Sequence, residues 1–266
     1  MKYDVIFWDW NGTIIDDVEI CMETVNSLLK EYGKKPFSAR AEYHKVFRFP
    51  IIDYYRDAGF DFDEVPFDVL AHKYIARYDV NCRRAKIFPD ILNVLCTFKR
   101  DGIKQIMLTA SEKNDLIRWL DEIDALKFFD DIIANDDIYA AGKADIAKKW
   151  LKNHPEINLE RAVMVGDTTH DVEVARAMGI DAATIARGHS ARVALEKTGA
   201  PVFDNADEML KYFENPSDFG RIFQVFRRDS NFENQTKIHK SIFLYFGTIF
   251  CKKIVAFIGY VAYNLF

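Results

Sequence analysis

Residues 3–13 read Y-D-V-I-F-W-D-W-N-G-T. An almost unbroken apolar run reads as a short strand buried on both faces, as in a parallel sheet. It stops at Asp9, and Asn11-Gly12 then marks a turn. A carboxylate is therefore expected where a buried strand gives way to a loop.

Working outward, residues 16–32 carry Val18, Cys21, Met22, Val25, Leu28 and Leu29 near helical spacing, and Gly33 follows as a stop. From 36 to 88 the patterns are helical, clearest at 50–58 and 66–78. A helix is expected over 89–100, ended by Asp101-Gly102. The run I-K-Q-I-M-L at 103–108 reads as a second buried strand. Beyond it come a helix at 113–123, a strand at 131–134, a helix at 143–153 and a strand at 161–165 closed by Gly166-Asp167. A helix at 171–178 stopped by Gly179, a strand at 181–186 and a helix at 206–213 complete the pattern. Strands alternating with helices give an α/β fold, a doubly wound parallel sheet of Rossmann-like type. The helical stretch between the first two strands reads as an inserted cap domain. The expected division is a core of 1–15 and 89–216, a helical cap of 16–88, and a C-terminal tail of 217–266.

Hydrophobic residues make up 49% and charged residues 29% of the 266-residue chain, which suits a globular protein with a real core. The net charge of -5 argues against nucleic acid as a general partner. That charge is unevenly placed. Residues 217–266 hold seven Lys/Arg, three Asp/Glu and nine of the 22 Phe, so the tail is basic and Phe-rich while the rest is acidic. Its apolar stretches are split by Lys252-Lys253, which does not suit a span of about 20 apolar residues. Membrane contact at the interface, packing on the core and pairing with another copy all stay open for it. The four cysteines form no C-x-x-C pair and no zinc spacing with histidine, and the first residues do not resemble a signal peptide. Reduced thiols and a cytoplasmic location are expected.

In an open parallel sheet, ligands bind outside the carboxyl ends of the strands. Those ends carry Asp9-Trp10-Asn11-Gly12-Thr13, Thr109-Ala110-Ser111, and Gly166-Asp167-Thr168-Thr169-His170-Asp171, while Lys143 opens a helix after Gly142. Carboxylates, hydroxyls and an ammonium converging on one crevice suit a phosphate with a hard cation. A carboxylate can also attack phosphorus, splitting one hard step into two.

These motifs, in this order over roughly residues 1–215, resemble the haloacid dehalogenase superfamily, and within it the phosphoglycolate phosphatase and β-phosphoglucomutase branch. The resemblance implies a magnesium-dependent phosphatase acting on a small phosphorylated metabolite. Asp9 would be the nucleophile that forms an aspartyl-phosphate. Asp9, Asp167 and the backbone carbonyl of Asn11 would hold Mg2+, and Asp171 would act through water or orient Lys143. Thr109 and Lys143 would hold the phosphoryl group, and Thr13 would fix the first loop. Trp10, Ala110 and Arg48 are further substrate-binding candidates.

The sequence departs from that pattern at Asn11, where the family's phosphatases usually carry an Asp that protonates the leaving group and activates water. An amide cannot do either, and such help is typically worth about 10²- to 10⁴-fold. Two other readings follow: a phosphonate hydrolase using a cap lysine (Lys30, Lys34, Lys35 or Lys45), and a phospholigand-binding protein with weakened turnover. Dehalogenase chemistry needs no magnesium, and the intact Gly166-Asp167 argues against it.

Each residue also has a plainer role. Asp167 and Asp171 could cap the helix that follows them. His170 reads as a surface histidine in that helix's first turn, Arg48 as half of a surface ion pair, and Trp8 as core.

Overall fold

The computed structural model describes residues 1–135 and 142–215, which lie in a unit spanning Met1–Phe219. The expectations for the tail at 217–266 fall outside the described residues.

In chain order the elements are β1 (Val5–Trp8), α1 (Val18–Glu31), α2 (Arg40–Val46), α3 (Ile51–Asp57), α4 (Phe67–Asn81) and α5 (Pro89–Arg100), then β2 (Lys104–Glu112), α6 (Lys113–Glu122), β3 (Asp131–Asn135) and α7 (Lys143–Lys152). They end with β4 (Ala162–Gly166), α8 (Thr169–Met178), β5 (Asp181–Ile185), α9 (Arg192–Glu196), β6 (Val202–Phe203) and α10 (Ala206–Glu214). The six strands form one sheet in the order β3-β2-β1-β4-β5-β6, with every pairing parallel. β1 sits in the middle, with β2 on one side and β4 on the other.

Side chains alternate across the strands, and that alternation sorts the core into two layers. Ile6, Trp8, Met107, Val163 and Val165 face α5, α6 and α10, meeting Leu95, Phe98, Trp119, Leu120 and Phe213. Val5, Phe7, Ile106, Leu108, Ala162 and Met164 face the other way, onto Ala147 of α7 and Val174, Ala175 and Met178 of α8. A buried Gln105 is accommodated because its groups are all paired: it accepts from Trp8 Nε1 and donates to the carbonyls of Leu95 and Phe128.

The helices between β1 and β2 have their own apolar cluster, built on Val18, Val25, Leu28 and Leu29 of α1 with Tyr43, Tyr54, Tyr55, Phe60 and Leu70. Its two connections to the sheet run side by side. Asp16 N–H donates to the Lys86 carbonyl, Phe88 N–H donates to the Ile14 carbonyl, and Ile15 bridges Ile87.

Three elements go beyond the sequence expectations: α2, the short α9, and β6 at the sheet edge. The second strand also runs on to Glu112 through a register shift after Leu108. Among the described residues no helix is long and apolar enough to cross a membrane.

Candidate active site

Asp9 leaves β1 with its backbone N–H on the Val165 carbonyl, so the β4 end lies beside it. Met107 of β2 is the partner of Trp8, and Thr109 therefore emerges from the neighbouring strand at the same end. On the other flank, β4 ends at Gly166 and the chain turns through Asp167 into α8. The topology thus brings four separated pieces of sequence to one crevice.

Their side chains interlock. Lys143 Nζ, in the first turn of α7, donates to Asp9 Oδ1 and to Asp171 Oδ1, each at 2.6 Å. Thr13 Oγ1 donates to Asp167 Oδ1 at 2.7 Å and lies 3.4 Å from Asp9 Oδ2. Asp167 Oδ2 accepts the His189 backbone N–H at 2.5 Å. Thr109 is buried, donating to Ser111 Oγ at 3.2 Å. Asp9, Asp167 and Asp171 are all buried, and one oxygen from each can be chosen so that all lie within 4.8 Å of one another.

Glycine makes this closeness sterically feasible. A Cβ on Gly188 would sit 2.0 Å from Asp167 Oδ2, and one on Gly166 would sit 2.2 Å from Asp171 Cγ. At Gly12, with φ of 72°, it would fall 2.6 Å from Asp167 Oδ2.

Electrostatics then sets the protonation. Burial pushes the Asp9 carboxyl well above the usual carboxylate range; Lys143 opposes this and the charges of Asp171 and Asp167 reinforce it. Burial raises Asp167 too. Burial also acts to raise Asp171, but the ammonium of Lys143 outweighs it and holds that carboxyl low. Burial acts to lower Lys143, and the carboxylates of Asp171 and Asp9 overcome it, so it stays a cation. When ionised, the three carboxylates exceed the one ammonium by two charges. Hard oxygen donors with that surplus fit a divalent cation, so the trio could hold one.

α8 shows which plain role applies. Thr168, not Asp167, is the N-cap, and Asp171 completes a capping box by accepting from Thr168 N–H and Oγ1. Asp171 therefore anchors the helix with one oxygen and Lys143 with the other.

Two of the substrate-binding candidates are engaged with other parts of the protein. Trp10 is only 1% exposed and packs edge-on against Trp119 in the core. Arg48 pairs with Asp57 at 2.7 Å and has a side chain 53% exposed, so its charge is directed within the helical segment. Ala110 is exposed beside the site, and its carbonyl accepts from Asn135. His170 stacks on Phe49 at 4.5 Å and pairs with Glu173. Of the candidate lysines, Lys30, Lys35 and Lys45 are exposed and Lys34 pairs with Glu64.

Two buried residues were missed. Asp17, fully buried, accepts Gly12 N–H on Oδ1 at 2.8 Å and Asn11 Nδ2 and Tyr78 Oη on Oδ2 at 2.6 and 2.7 Å. His189 Nε2 lies 3.5 Å from Asp17 Oδ1, and its Nδ1 is 2.7 Å from Tyr43 Oη. Burial acts to raise Asp17, but His189, Asn11 and Tyr78 together outweigh it and hold the carboxyl low. Burial acts to lower His189, and the carboxylates of Asp17, Asp167 and Asp9 together overcome it. The signal for His189 was the strand-end rule applied to A-R-G-H-S after β5.

The haloacid dehalogenase-like hydrolase pattern matches residues 5–185, about two thirds of the sequence. The chain belongs to the haloacid dehalogenase-like hydrolase family. Among its relatives is Phosphoglycolate phosphatase 1 of Pseudomonas aeruginosa, 22% identical over 214 residues covering 77% of this chain and 78% of that one. A haloacid dehalogenase-like family protein from Streptococcus pneumoniae has the same fold, with a TM-score of 0.68, 22% identity and coverage of 80% of this chain and 99% of its own. So has Protein Tyrosine Kinase A of Mycobacterium tuberculosis, with a TM-score of 0.67, 21% identity and coverage of 79% and 98%. For a haloacid dehalogenase-like hydrolase at such distances, the fold is shared and the reaction must be argued from the site.

Proposed function

We propose that this hydrolase is a magnesium-dependent phosphatase that releases phosphate from a small phosphorylated metabolite through a covalent phosphoryl group on Asp9. The observation that carries this is Lys143, whose ammonium joins Asp9 to Asp171 at 2.6 Å each beside the carboxylate of Asp167. The relatives named as phosphoglycolate phosphatases point the same way.

Asp9 and Asp167, with the Asn11 carbonyl, would hold Mg2+, which when bound supplies positive charge to phosphate oxygens. Asp9 attacks phosphorus with a carboxylate oxygen and later leaves again when water attacks. Lys143 neutralises charge on the phosphoryl oxygens, and Asp171 keeps that ammonium in place. Thr109 offers its hydroxyl to the same oxygens. Thr13 holds Asp167 towards Asp9. The helical segment over residues 16–88 serves as the cap that limits access, since Tyr43 and Tyr78 already reach the loops around Asp9.

The test is phosphate release from a panel of small esters, including 2-phosphoglycolate, with and without Mg2+, for the natural protein and Asp9→Asn. The expected result is release that needs Mg2+ and is lost in Asp9→Asn. Release undiminished by that substitution would contradict the proposal.

A further inference from the structure

Asn11 is more than a missing carboxylate. Its Nδ2 donates to Asp17 Oδ2 at 2.6 Å and to Tyr78 Oη at 2.7 Å, and its Oδ1 lies 3.3 Å from the hydroxyl of Ser111. A carboxylate partner settles which end of the amide is the donor. Both N–H groups and the carbonyl are committed, so the side chain is fixed as well as unable to exchange a proton.

The neighbours are committed too. Tyr78 Oη donates to Asp17 Oδ2, which also accepts from Cys21 Sγ. His189 has one ring nitrogen at Asp17 and the other at Tyr43. Lys143 is shared between two carboxylates, Thr13 donates to Asp167, and Thr109 donates to Ser111. Among the described residues, each of these groups around Asp9 is already hydrogen-bonded to a carboxylate, an amide or a hydroxyl. Asn11, two residues after Asp9, is an amide whose groups are all paired and has no proton to hand to a departing oxygen.

We infer that the substrate class is phosphoryl donors whose leaving group departs as a stable anion, acyl phosphates above all, rather than alkyl monoesters. This rests on the phosphatase reading given above. A carboxylate oxygen of Asp9 bonds to phosphorus, and the bond from phosphorus to the acyl oxygen breaks. The electron pair leaves with a carboxylate that needs no proton. Water then attacks phosphorus, the bond to Asp9 breaks with its pair returning to Asp9, and the protons of that water go to the released phosphate. An alkyl ester would instead have to expel an alkoxide with no acid beside it. The missing proton transfer is worth about 10²- to 10⁴-fold in that step.

The test compares kcat/KM for acetyl phosphate, a series of substituted phenyl phosphates and 2-phosphoglycolate, with Mg2+ present. This quantity reports the first irreversible step and is unaffected by slow loss of phosphate from Asp9. The expected result is a steep fall with leaving-group basicity and an alkyl ester at least about 10²-fold below the acyl phosphate. An alkyl ester within about tenfold of it overturns the inference and leaves the phosphatase reading standing. No release from any member overturns both. A second arm uses Asn11→Asp combined with Asp17→Asn, which restores an acid without placing two carboxylates together. The alkyl-to-acyl ratio should rise by about 10²-fold or more, and a folded variant with an unchanged ratio overturns the inference. The natural protein's series decides the matter whether or not that variant folds.

Discussion

Lys143 holds two buried carboxylates with one charge. Replacing it by Met leaves Asp9 and Asp171 facing each other without compensation. Breaking a buried pair in this way typically costs about 3–5 kcal/mol, so urea unfolding of Lys143→Met should show a loss of that order together with loss of phosphate release. An unchanged midpoint would mean that the ammonium does not hold the trio. Gly188→Ala tests the same crowding sterically. Its methyl would collide with Asp167, so Mg2+ affinity measured by calorimetry should fall by at least about tenfold, as it does when support around a ligand is disturbed. At this scale the strand-end rule picked out residues that the fold brings to one crevice, as at Asp9, Thr109 and Asp167. Asp17 was not legible, because it lies just before α1 and looks like an ordinary helix-start carboxylate. Only the fold shows that its oxygens take the Gly12, Asn11 and Tyr78 donors. Trp10 shows the converse: proximity in sequence to Asp9 says nothing about which way an indole points, and this one packs on Trp119.

At the scale of elements, Asp90 in the first turn of α5 joins three of them. It accepts from Arg187, beyond β5, with both oxygens and from Ala206 N–H at the start of α10. The guanidinium also lies 3.7 Å from the Phe88 ring centroid, beside the connections to the helical segment. Burial acts to raise Asp90, but the Ala206 N–H and Arg187 outweigh it and leave its carboxyl below the ordinary 3.8. Its contribution is therefore complete above 3.8 and is lost as pH falls through the depressed value. Asp90→Asn should unfold at lower urea than the natural protein at neutral pH, with the gap closing as pH drops below 3.8. A gap that stays constant down to acid pH would show that the carboxylate charge is irrelevant there. The long periodic helices and buried strands were legible because each fills many turns or runs without a break. β6 has two residues and α2 and α9 have seven and five, too few to show a period, and the packing around them makes them regular.

Across the whole molecule, the sheet order matters most. β1 lies between β2 and β4, so the two halves of the sheet part at the end of β1 and open a crevice where Asp9 stands. Alternation of strands and helices made a parallel sheet readable, whereas the strand order and the side-by-side connections at 14–16 and 86–88 needed coordinates. A cation held only by the folded crevice must stabilise the fold by mass action, by about 2.7 kcal/mol at a hundred times its dissociation constant. Mg2+ should accordingly raise the melting temperature of the natural protein and leave Asp167→Ala unmoved; equal shifts in both would place the ion elsewhere. The most direct test of the account is to mix the protein with acetyl phosphate and Mg2+, quench in acid, and map the modified peptide by mass spectrometry. One phosphoryl group on Asp9 is the expected result, absent when Mg2+ is removed. A protein that releases phosphate while Asp9 stays unmodified, or that carries the group on another residue, would contradict it.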